Sequence, residues 1–292
     1  MNSKSIGIIG TGKLGSSLAV ALQSKGFILS GLYSIGGVSQ NKLCNSLGVC
    51  VENDLKKTVA RSDIIFITVP DSQIKNAAIH ISQSTEADSL KNKCFFHMSG
   101  ALTSDELVDL GTGVYTGSLH PIQTFADAAN DPKIFEGIYF GFEGCGEAYL
   151  AAKYLVDALN GKIINIQKAN KPIYHACACI ISNYTVTLSY TVEKLLRVMD
   201  VENQIGINAF LPLLKGTVAN IEKFGSIMSL TGPISRGDLN VIKRHIEALN
   251  KKSGCLENEL YRVMALATAD VACEKGSIDE GIRLSINKLF DK

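Results

Sequence analysis

The residues whose types and spacing first suggest chemistry are the three glycines of Gly10-Thr11-Gly12-Lys13-Leu14-Gly15. An apolar run precedes them at 5–9, and apolar side chains recur at helical spacing from 14 to 22. Between a strand and a helix, Gly10 permits the tight turn, Gly12 lets backbone approach a pyrophosphate, and Gly15 lets helix and strand pack closely. The helix N-terminus adds free N–H groups and a partial positive charge. We therefore predict that residues 10–15 bind a dinucleotide.

Several predicted strands end in residues that could line the same site. The strand ends lie near Ser34, at Val69-Pro70-Asp71, at Ser99 and at His120. Because ligands bind at the carboxyl ends of parallel strands, we expect these residues beside the dinucleotide. For Asp71 we predict a structural role, as the cap of the helix that follows. His120 could equally contact a substrate or make a structural hydrogen bond.

The end of the second predicted strand bears on the choice of cofactor. An acidic side chain there would hydrogen-bond the ribose 2′-hydroxyl of NAD and repel the 2′-phosphate of NADP. The residues present are Ser34-Ile35-Gly36-Gly37, without a carboxylate, and Lys42 follows downstream. The pattern favours NADP over NAD, although no arginine stands at 35 or 36 to decide between them.

A second polar group opens the helical pattern that begins near Pro172. Lys171, His175 and Ser182 fall on one side of that predicted helix, and Asn183 lies roughly 80° round from His175. A desolvated lysine or a histidine can act as general acid near neutral pH, as hydride transfer to a carbonyl requires. Lys171 and His175 are therefore both candidates for the proton donor. Pro172 is expected to keep Lys171 at a cap, outside helical geometry.

Some of these residues have structural alternatives. His175 could be a helix-face histidine held by a structural hydrogen bond, and the sequence leaves the two roles evenly balanced. Arg236, in the turn-rich segment 232–238, could bind a substrate carboxylate bidentately. It could equally form a local pair with Asp238. His80 and His245 lie among polar neighbours and are predicted to be solvated.

Alternating strands and helices up to about residue 167 predict an α/β fold with a doubly wound, mostly parallel Rossmann sheet over residues 1–167. This region includes a brief strand at 49–51 and a capping box that begins at Thr103. Residues 168–292 are predicted to form a separate all-helical domain, in which Asp238 caps a helix. One long helix is expected between Pro172 and Gly206. Its apolar face comprises Ile173, Cys177, Ile180, Tyr184, Leu188 and Leu195.

Composition narrows the class of protein. Among 292 residues, 29 are basic and 28 acidic, so nothing suggests a nucleic-acid partner. The eight cysteines show no CxxC and no metal-ligand spacing, which predicts no metal site and a reducing compartment. No apolar stretch is long enough to span a membrane, and a strand near residue 5 leaves no room for a signal peptide. We expect a cytoplasmic protein with a small-molecule substrate.

Four segments are distinctive when taken together: Ser118-Leu119-His120-Pro121-Ile122-Gln123-Thr124-Phe125, Lys171-Pro172-Ile173-Tyr174-His175-Ala176-Cys177-Ala178, Ser182-Asn183-Tyr184 and Leu230-Thr231-Gly232-Pro233-Ile234-Ser235-Arg236-Gly237-Asp238. They resemble a bacterial family that joins a Rossmann-like domain to a helical domain long labelled as of unknown function. The resemblance covers nearly the whole chain. The family is similar in architecture to the 6-phosphogluconate dehydrogenase-like group. Its members are often named NADP oxidoreductases, and one branch is an alternative ketopantoate reductase that serves pantothenate biosynthesis.

The resemblance implies a role at the cleft for His120, Lys171, His175, Asn183 and Arg236. In the wider group a lysine near the start of the long helix is the usual proton donor, which favours Lys171. The leading hypothesis is a reductase in which Lys171 or His175 protonates the product oxygen. Asn183 would orient the carbonyl, and Arg236 would hold the carboxylate of a 2-oxo acid. The resemblance also implies a homodimer built on the helical domains.

In this hypothesis NADPH lies across the strand ends, with its nicotinamide near Val69, Ser99 and His120, and ketopantoate is the first candidate substrate. The alternative from a different class is a non-catalytic NADP-binding sensor or subunit, in which the same polar residues lock the domain interface. A deazaflavin-dependent NADP oxidoreductase is a further alternative.

Overall fold

The computed structural model describes residues 4–49, 53–125, 131–199 and 205–291. The chain divides into two compact units, Met1–Ile180 and Ile181–Lys292. The first unit includes the start of the long helical segment, in which Lys171 hydrogen-bonds to Ser99 and Ser118 of the same unit. The predicted domain boundary lies at residue 167, whereas this division falls after Ile180. The boundary at residue 167 stays a prediction.

The first unit is built on seven strands: β1 Ser5–Ile9, β2 Ile28–Tyr33, β3 Ile64–Ile67, β4 Cys94–His97, β5 Tyr115–Pro121, β6 Tyr139–Gly144 and β7 Lys162–Asn165. They form one sheet in the order β2-β1-β3-β4-β5-β6-β7. β6 is antiparallel to β5, and the other neighbouring pairs are parallel. The predicted α/β fold with a mostly parallel Rossmann sheet is confirmed. Of the strand predicted at 49–51, residues 50 and 51 lie outside the described ones.

Helices cover both faces of this sheet: α1 Lys13–Ser24, α2 Val38–Leu47, α3 Leu55–Ala60, α4 Ile74–Ser84, α5 Ala87–Leu90, α6 Gly146–Ala158 and α7 Lys171–Ala178. The apolar sequence of β3 explains why helices are needed on both faces. Ile64 and Phe66 join one core with α1 and α6, whereas Ile65 and Ile67 join a second core with α3 and α4. An uninterrupted apolar run is what a parallel strand buried on both faces requires.

The segment after β4 differs from the predicted capped helix. Residues Ser104–Leu110 form a 3-10 helix, and Thr103 makes no side-chain capping bond. Instead the backbone N–H and the hydroxyl of Ser104 donate to the Glu143 carboxylate at 2.6 and 2.9 Å. The predicted capping box is therefore wrong, because the carboxylate that receives the N–H comes from β6 and not from the segment itself.

The second unit is helical over its described residues: α8 Tyr184–Val198, α9 Leu211–Met228, α10 Leu239–Lys252, α11 Cys255–Glu274 and α12 Glu280–Lys288. Its core lies among the last three helices, where Ala265, Ala269 and Ala272 of α11 are buried and allow close packing. Asp238 accepts a hydrogen bond from the Val241 N–H, which confirms the predicted N-cap of α10. No helix in the described part of the chain combines the length and apolar character that crossing a membrane requires.

The single long helix predicted from Pro172 to Gly206 is interrupted. A π-helical turn at Cys179–Asn183 follows α7, and α8 ends at Val198. A π turn takes up one extra residue, so it rotates the positions after it by about 100° relative to a regular helix. The spacing that placed Asn183 roughly 80° from His175 assumes regular α-helix and does not hold across this turn.

Candidate active site

The three glycines of the first turn have three different surroundings. Gly10 has a φ of +99°, in the left-handed region that favours glycine. At Gly15 a Cβ atom would overlap the Gly10 carbonyl oxygen and lie 2.5 Å from the Thr68 hydroxyl. At Gly12 a Cβ would meet no atom within 4 Å. Gly10 and Gly15 are thus required by the protein's own packing, whereas Gly12 leaves open space above the turn.

A cavity of about 360 Å³ opens directly on this turn. It is bounded by the residues that follow β1, β2 and β3 and by one face of α4. Six of the predicted dinucleotide-binding residues line it: Gly10, Thr11, Gly12, Ser34, Val69 and Pro70.

Other predicted residues lie next to the cavity without lining it. Lys13, Leu14 and Gly15 form the first turn of α1, where Leu14 packs against the core. Asp71 and Ser99 belong to the network described below. The ends of three neighbouring strands are thus joined by one cavity and the first turn of α1.

Sequence reasoning missed one wall of the cavity. Gln73, Asn76, Ala77 and His80 line it from α4 and the 3-10 turn before it. Their spacing of i, i+3, i+4 and i+7 marks one face of a helix, so the sequence did carry this signal. His80 is exposed, as predicted, but it is exposed into the cavity.

The donors around the cavity suit the phosphates of a dinucleotide. Helix α1 begins at this turn without a side-chain capping bond, and a helix N-terminus attracts an anion. The hydroxyls of Thr11 and Ser39 lie 2.7 Å apart, and Ser34 lies beside them at the end of β2. None of the described residues that line the cavity carries a carboxylate. The chemistry of the cavity therefore fits a dinucleotide.

Lys171 is the first residue of α7 and has helical backbone angles, φ −53° and ψ −44°. The expectation that Pro172 would keep it out of helical geometry is wrong, because the packing of its side chain outweighs a local preference. The side chain has 0% exposure, and its Nζ donates to the Ser99 carbonyl at 3.0 Å and to the Ser118 Oγ at 2.7 Å. Lys171 thus ties the end of β4 to β5 from inside the protein.

The Ser99 hydroxyl extends this network to Asp71. Ser99 Oγ donates to Asp71 Oδ2 at 2.7 Å and accepts from the N–H groups of Ala101 and Leu102. The predicted capping role of Asp71 is wrong, since a 3-10 turn precedes α4 and neither makes a side-chain capping bond. The carboxylate instead fixes the loop that follows β4.

Glu143 is a charged residue of the site that sequence reasoning missed. It lies on β6 opposite Ser118 and is 7% exposed. Burial lowers the pKa of Lys171 to about 8, and the Glu143 and Asp71 carboxylates partly oppose that shift. An acidic residue inside the apolar run 138–144 is the sequence signal that could have found it.

His97, which precedes this loop, is also a buried residue that the sequence did not single out. Its Nε2 lies 2.9 Å from the Thr103 carbonyl, and its Nδ1 accepts from the Ser99 N–H. Burial lowers the pKa of His97, so the imidazole is neutral. With both nitrogens bonded to backbone, His97 has a structural role at the end of β4.

His120 lies on β5 beside a second histidine of the site. Its Nδ1 is 2.7 Å from the Tyr174 hydroxyl, and its ring meets that of His175 edge to face, with centroids 6.1 Å apart. Burial, followed by the charges of Lys171 and His175, lowers the pKa of His120 to about 4. The imidazole is therefore neutral at physiological pH. Its Nε2 has no partner among the described residues and is not enclosed.

His175 is held more tightly than His120. Its Nε2 lies 3.6 Å from the Cys179 Sγ, while its Nδ1 is buried without a hydrogen-bond partner among the described residues. Both imidazoles press on Gly100, where a Cβ would lie 2.6 Å from His175 Nδ1 and 3.0 Å from His120 Nε2. Gly100 is therefore the residue that lets the two rings approach the end of β4.

Asn183 and Arg236 belong to the second unit. Asn183 is exposed at the end of the π turn, and Arg236 is exposed in the turn before α10. The local pair considered for Arg236 does not form within the described residues, since Asp238 caps α10 instead. The structure thus brings together Lys171, His120, His175, Ser99 and Asp71.

The buried Lys171 should make the free energy of unfolding depend on pH in the alkaline range. Its pKa is lowered from 10.5 to about 8 by burial, so between these values the unfolded chain binds more protons than the folded one. The free energy of unfolding therefore rises with pH in that window and is unaffected by this residue below or above it. Urea unfolding should show the wild type gaining stability relative to Lys171→Met from pH 8 to 10.5. The exposed Lys133→Met is the control, and parallel slopes for wild type and Lys171→Met would contradict the assignment.

Family models match both parts of the chain. A Rossmann-like domain model matches residues 2–121, and the model of a domain of unknown function, DUF2520, matches residues 138–268. The chain thus joins a Rossmann-like domain to a DUF2520 domain. The resemblance drawn from the sequence is thereby confirmed. The DUF2520 match begins just before β6, so it takes in the last two strands as well as the helices of the second unit. No curated protein matches the chain.

Solved structures share the fold of this chain. A candidate NADP oxidoreductase from Bacteroides fragilis is 22% identical, with a TM-score of 0.73 over 92% of this chain and 98% of that one. A protein from Thermotoga maritima is 25% identical, with a TM-score of 0.72 over 93% and 99%. Pyrroline carboxylate reductase from Plasmodium falciparum, solved with NADP bound, is 15% identical, with a TM-score of 0.61 over 98% and 99%.

Proposed function

We propose that this chain is an NADP-dependent oxidoreductase that reduces a small 2-oxo acid, with ketopantoate as the first candidate substrate. One observation carries the proposal: the glycine turn, a cavity whose described lining residues include no acid, and the unbonded Nε2 of His120 lie at the carboxyl ends of strands in one sheet. Ligands of doubly wound folds bind along that edge. The similarity to structures described as NADP oxidoreductases and NADP-bound reductases supports the cofactor.

Binding of the cofactor is assigned to the first turn and the end of β2. When bound, NADPH supplies a hydride to the substrate carbon. Gly10, Thr11 and Gly12, with the N-terminus of α1, would hold the pyrophosphate. The hydroxyls of Ser34 and Ser39, with no carboxylate among the described residues that line the cavity, favour the 2′-phosphate of NADP over the bare ribose of NAD.

His120 is the residue proposed to act on the substrate oxygen. As a neutral imidazole it can donate its Nε2 proton in a hydrogen bond to a carbonyl oxygen on which negative charge develops. Lys171, whose ammonium is enclosed and already bonded to Ser99 and Ser118, would act by holding these strand ends and by keeping His120 neutral. This differs from the sequence hypothesis that Lys171 or His175 is the proton donor. The enclosure of Lys171 and the contact of His175 Nε2 with Cys179 Sγ support the change.

The roles of Asn183 in orienting the carbonyl and of Arg236 in holding the carboxylate stay part of the proposal. Both side chains are exposed, and Arg236 makes no ion pair among the described residues. A free guanidinium can bind a carboxylate bidentately, which supports an acid as the substrate. A non-catalytic NADP sensor is the alternative from another class.

A steady-state assay tests the proposal. NADPH and NADH are each supplied with ketopantoate, other 2-oxo acids and a cyclic imine, the last because several structural neighbours are described as imine reductases. Turnover with NADPH and a 2-oxo acid is expected. Turnover with the imine alone would show that the substrate is an imine and not a 2-oxo acid. Oxidation of NADPH only in the presence of a deazaflavin would favour a deazaflavin as the second substrate. Tight NADPH binding without any turnover would favour the sensor.

A homodimer through the helical unit is also proposed. α9 has eighteen residues, none of them buried. Leu213, Ile221 and Phe224 lie within about 80° of one another on this helix at 100° per residue, and they are 68%, 43% and 53% exposed. An apolar face of this size on a helix is typical of a surface covered by another chain. The exposed apolar residues Ile173 and Tyr184 of the long helical segment support the same interpretation.

Phe224→Glu should convert the dimer to a monomer, because a charge in the centre of an apolar interface must be desolvated without a partner. Light scattering coupled to size-exclusion chromatography measures the mass directly. Leu150→Glu is the matched control, since Leu150 is also 68% exposed but lies on α6 of the first unit. A monomeric wild type at micromolar concentration would contradict the proposal.

A further inference from the structure

We infer that Tyr174 is a positioning residue that holds His120 in the tautomer with its proton on Nε2. The Tyr174 hydroxyl lies 2.7 Å from His120 Nδ1, and the two rings meet edge to face with centroids 5.6 Å apart. The catalytic importance of this contact rests on the proposed reductase function. The tautomer itself is a property of the protein alone, so the two can be tested separately.

Gly141 provides the space for the Tyr174 hydroxyl. It is the residue of β6 directly opposite His120 in the antiparallel pair with β5. A Cβ at Gly141 would overlap the Tyr174 hydroxyl and lie 2.5 Å from its Cζ. Any other residue at 141 would move the hydroxyl away from the imidazole, so the glycine is an independent sign that this contact is built into the sheet.

The direction of the proton follows from the partners of the hydroxyl. Burial raises the pKa of Tyr174 to about 12, so the oxygen keeps its proton. No acceptor other than His120 Nδ1 lies within hydrogen-bond distance of the hydroxyl among the described residues, so the O–H donates to Nδ1. A neutral imidazole whose Nδ1 accepts must carry its hydrogen on Nε2. That nitrogen makes no hydrogen bond within the described residues and is not fully buried.

The charged and titratable groups around His120 favour the same state. Lys171 and His175 face it from α7 and oppose its protonation, while Asp71 favours protonation from the turn before α4. The Lys171 Nζ also lies 5.7 Å from the centre of the Tyr174 ring. Burial and the charges of Lys171 and His175 thus keep His120 neutral, and the hydroxyl decides which of its nitrogens carries the hydrogen.

The test compares the full-length protein with Tyr174→Phe, using NMR of ¹⁵N-labelled histidine and His120→Gln to assign the signals. The Nε2–H tautomer should dominate in the wild type. In Tyr174→Phe its ratio to the Nδ1–H tautomer should fall by roughly fivefold to tenfold, the factor for one ordinary hydrogen bond. Tyr149→Phe is the matched control, since its ring packs on Phe142 and its hydroxyl makes no hydrogen bond among the described residues.

Gly141→Ala is the second variant, because it should displace the hydroxyl while Tyr174 stays in place. Both variants should also lower kcat about tenfold and leave the Kd for NADPH unchanged, since the turn at Gly12 is not involved. An unchanged His120 tautomer in either folded variant would overturn the inference. A wild type that shows the Nε2–H tautomer but reduces no substrate would leave the inference standing and refute the proposed function.

Discussion

Gly12→Val should abolish NADPH binding and leave the fold intact. A Cβ at Gly12 meets no atom of the protein within 4 Å, and its φ of −72° is accessible to any residue. The branched side chain would instead fill the space above the turn, where a pyrophosphate would lie. We expect the Kd for NADPH, measured by calorimetry, to rise by a factor of at least about 10², with Tm in the absence of cofactor unchanged.

Gly15→Ala is the informative comparison. Its Cβ would overlap the Gly10 carbonyl oxygen, so α1 must move away from the end of β1. Gly15→Ala should lower the stability of the fold, and its affinity for NADPH should fall only as a consequence. Gly12→Val, in contrast, should lose NADPH affinity while its stability stays unchanged. If Gly12→Val bound NADPH with the affinity of the wild type, the phosphates would have to lie elsewhere.

His120→Ala should lower kcat by roughly 10²-fold to 10³-fold, the usual loss when one preorganised donor to a developing oxyanion is removed. NADPH binding should change little, because His120 does not line the cavity on the first turn. With a pKa of about 4, His120 is neutral throughout the usual assay range, so its protonation should not appear in the pH–rate profile between pH 5 and 8. Stopped-flow measurement of the hydride step would separate chemistry from product release.

Lys171→Met provides the contrast for His120→Ala. If Lys171 acts by positioning, its removal should raise the pKa of His120, because the charge that opposes protonation is lost. It should also weaken the ends of β4 and β5, where its two hydrogen bonds lie. A variant that keeps the His120 pKa and the stability of the wild type, yet loses turnover, would return the role of proton donor to Lys171.

Features that depend on neighbours in the sequence were predictable. The first strand, the glycine turn and α1 form one local unit, and the three glycines have surroundings that match their spacing. The four apolar residues of β3 required burial on both faces, and Asp238 caps α10 through a residue three positions away. In each case local sequence and tertiary structure demand the same conformation.

Features that depend on distant partners were not predictable. His120 and Tyr174 are 54 residues apart, and Ser104 meets Glu143 from 39 residues away. The antiparallel direction of β6 brings Gly141 opposite His120, and no local pattern encodes that direction. The sequence did identify His120, Lys171 and His175, but it could not tell an enclosed ammonium from an open imidazole nitrogen, because burial is a property of the assembled sheet.

The exposed apolar face of α9 has a consequence for how the protein folds. An isolated helix of this length is only marginally stable in water, and α9 has no fully buried residue and is broken at Gly225. In the proposed homodimer the order of α9 is linked to association, so that folding becomes a second-order process at low protein concentration. The thermal midpoint should climb with protein concentration, and dilution alone should loosen the helical half while the Rossmann core persists.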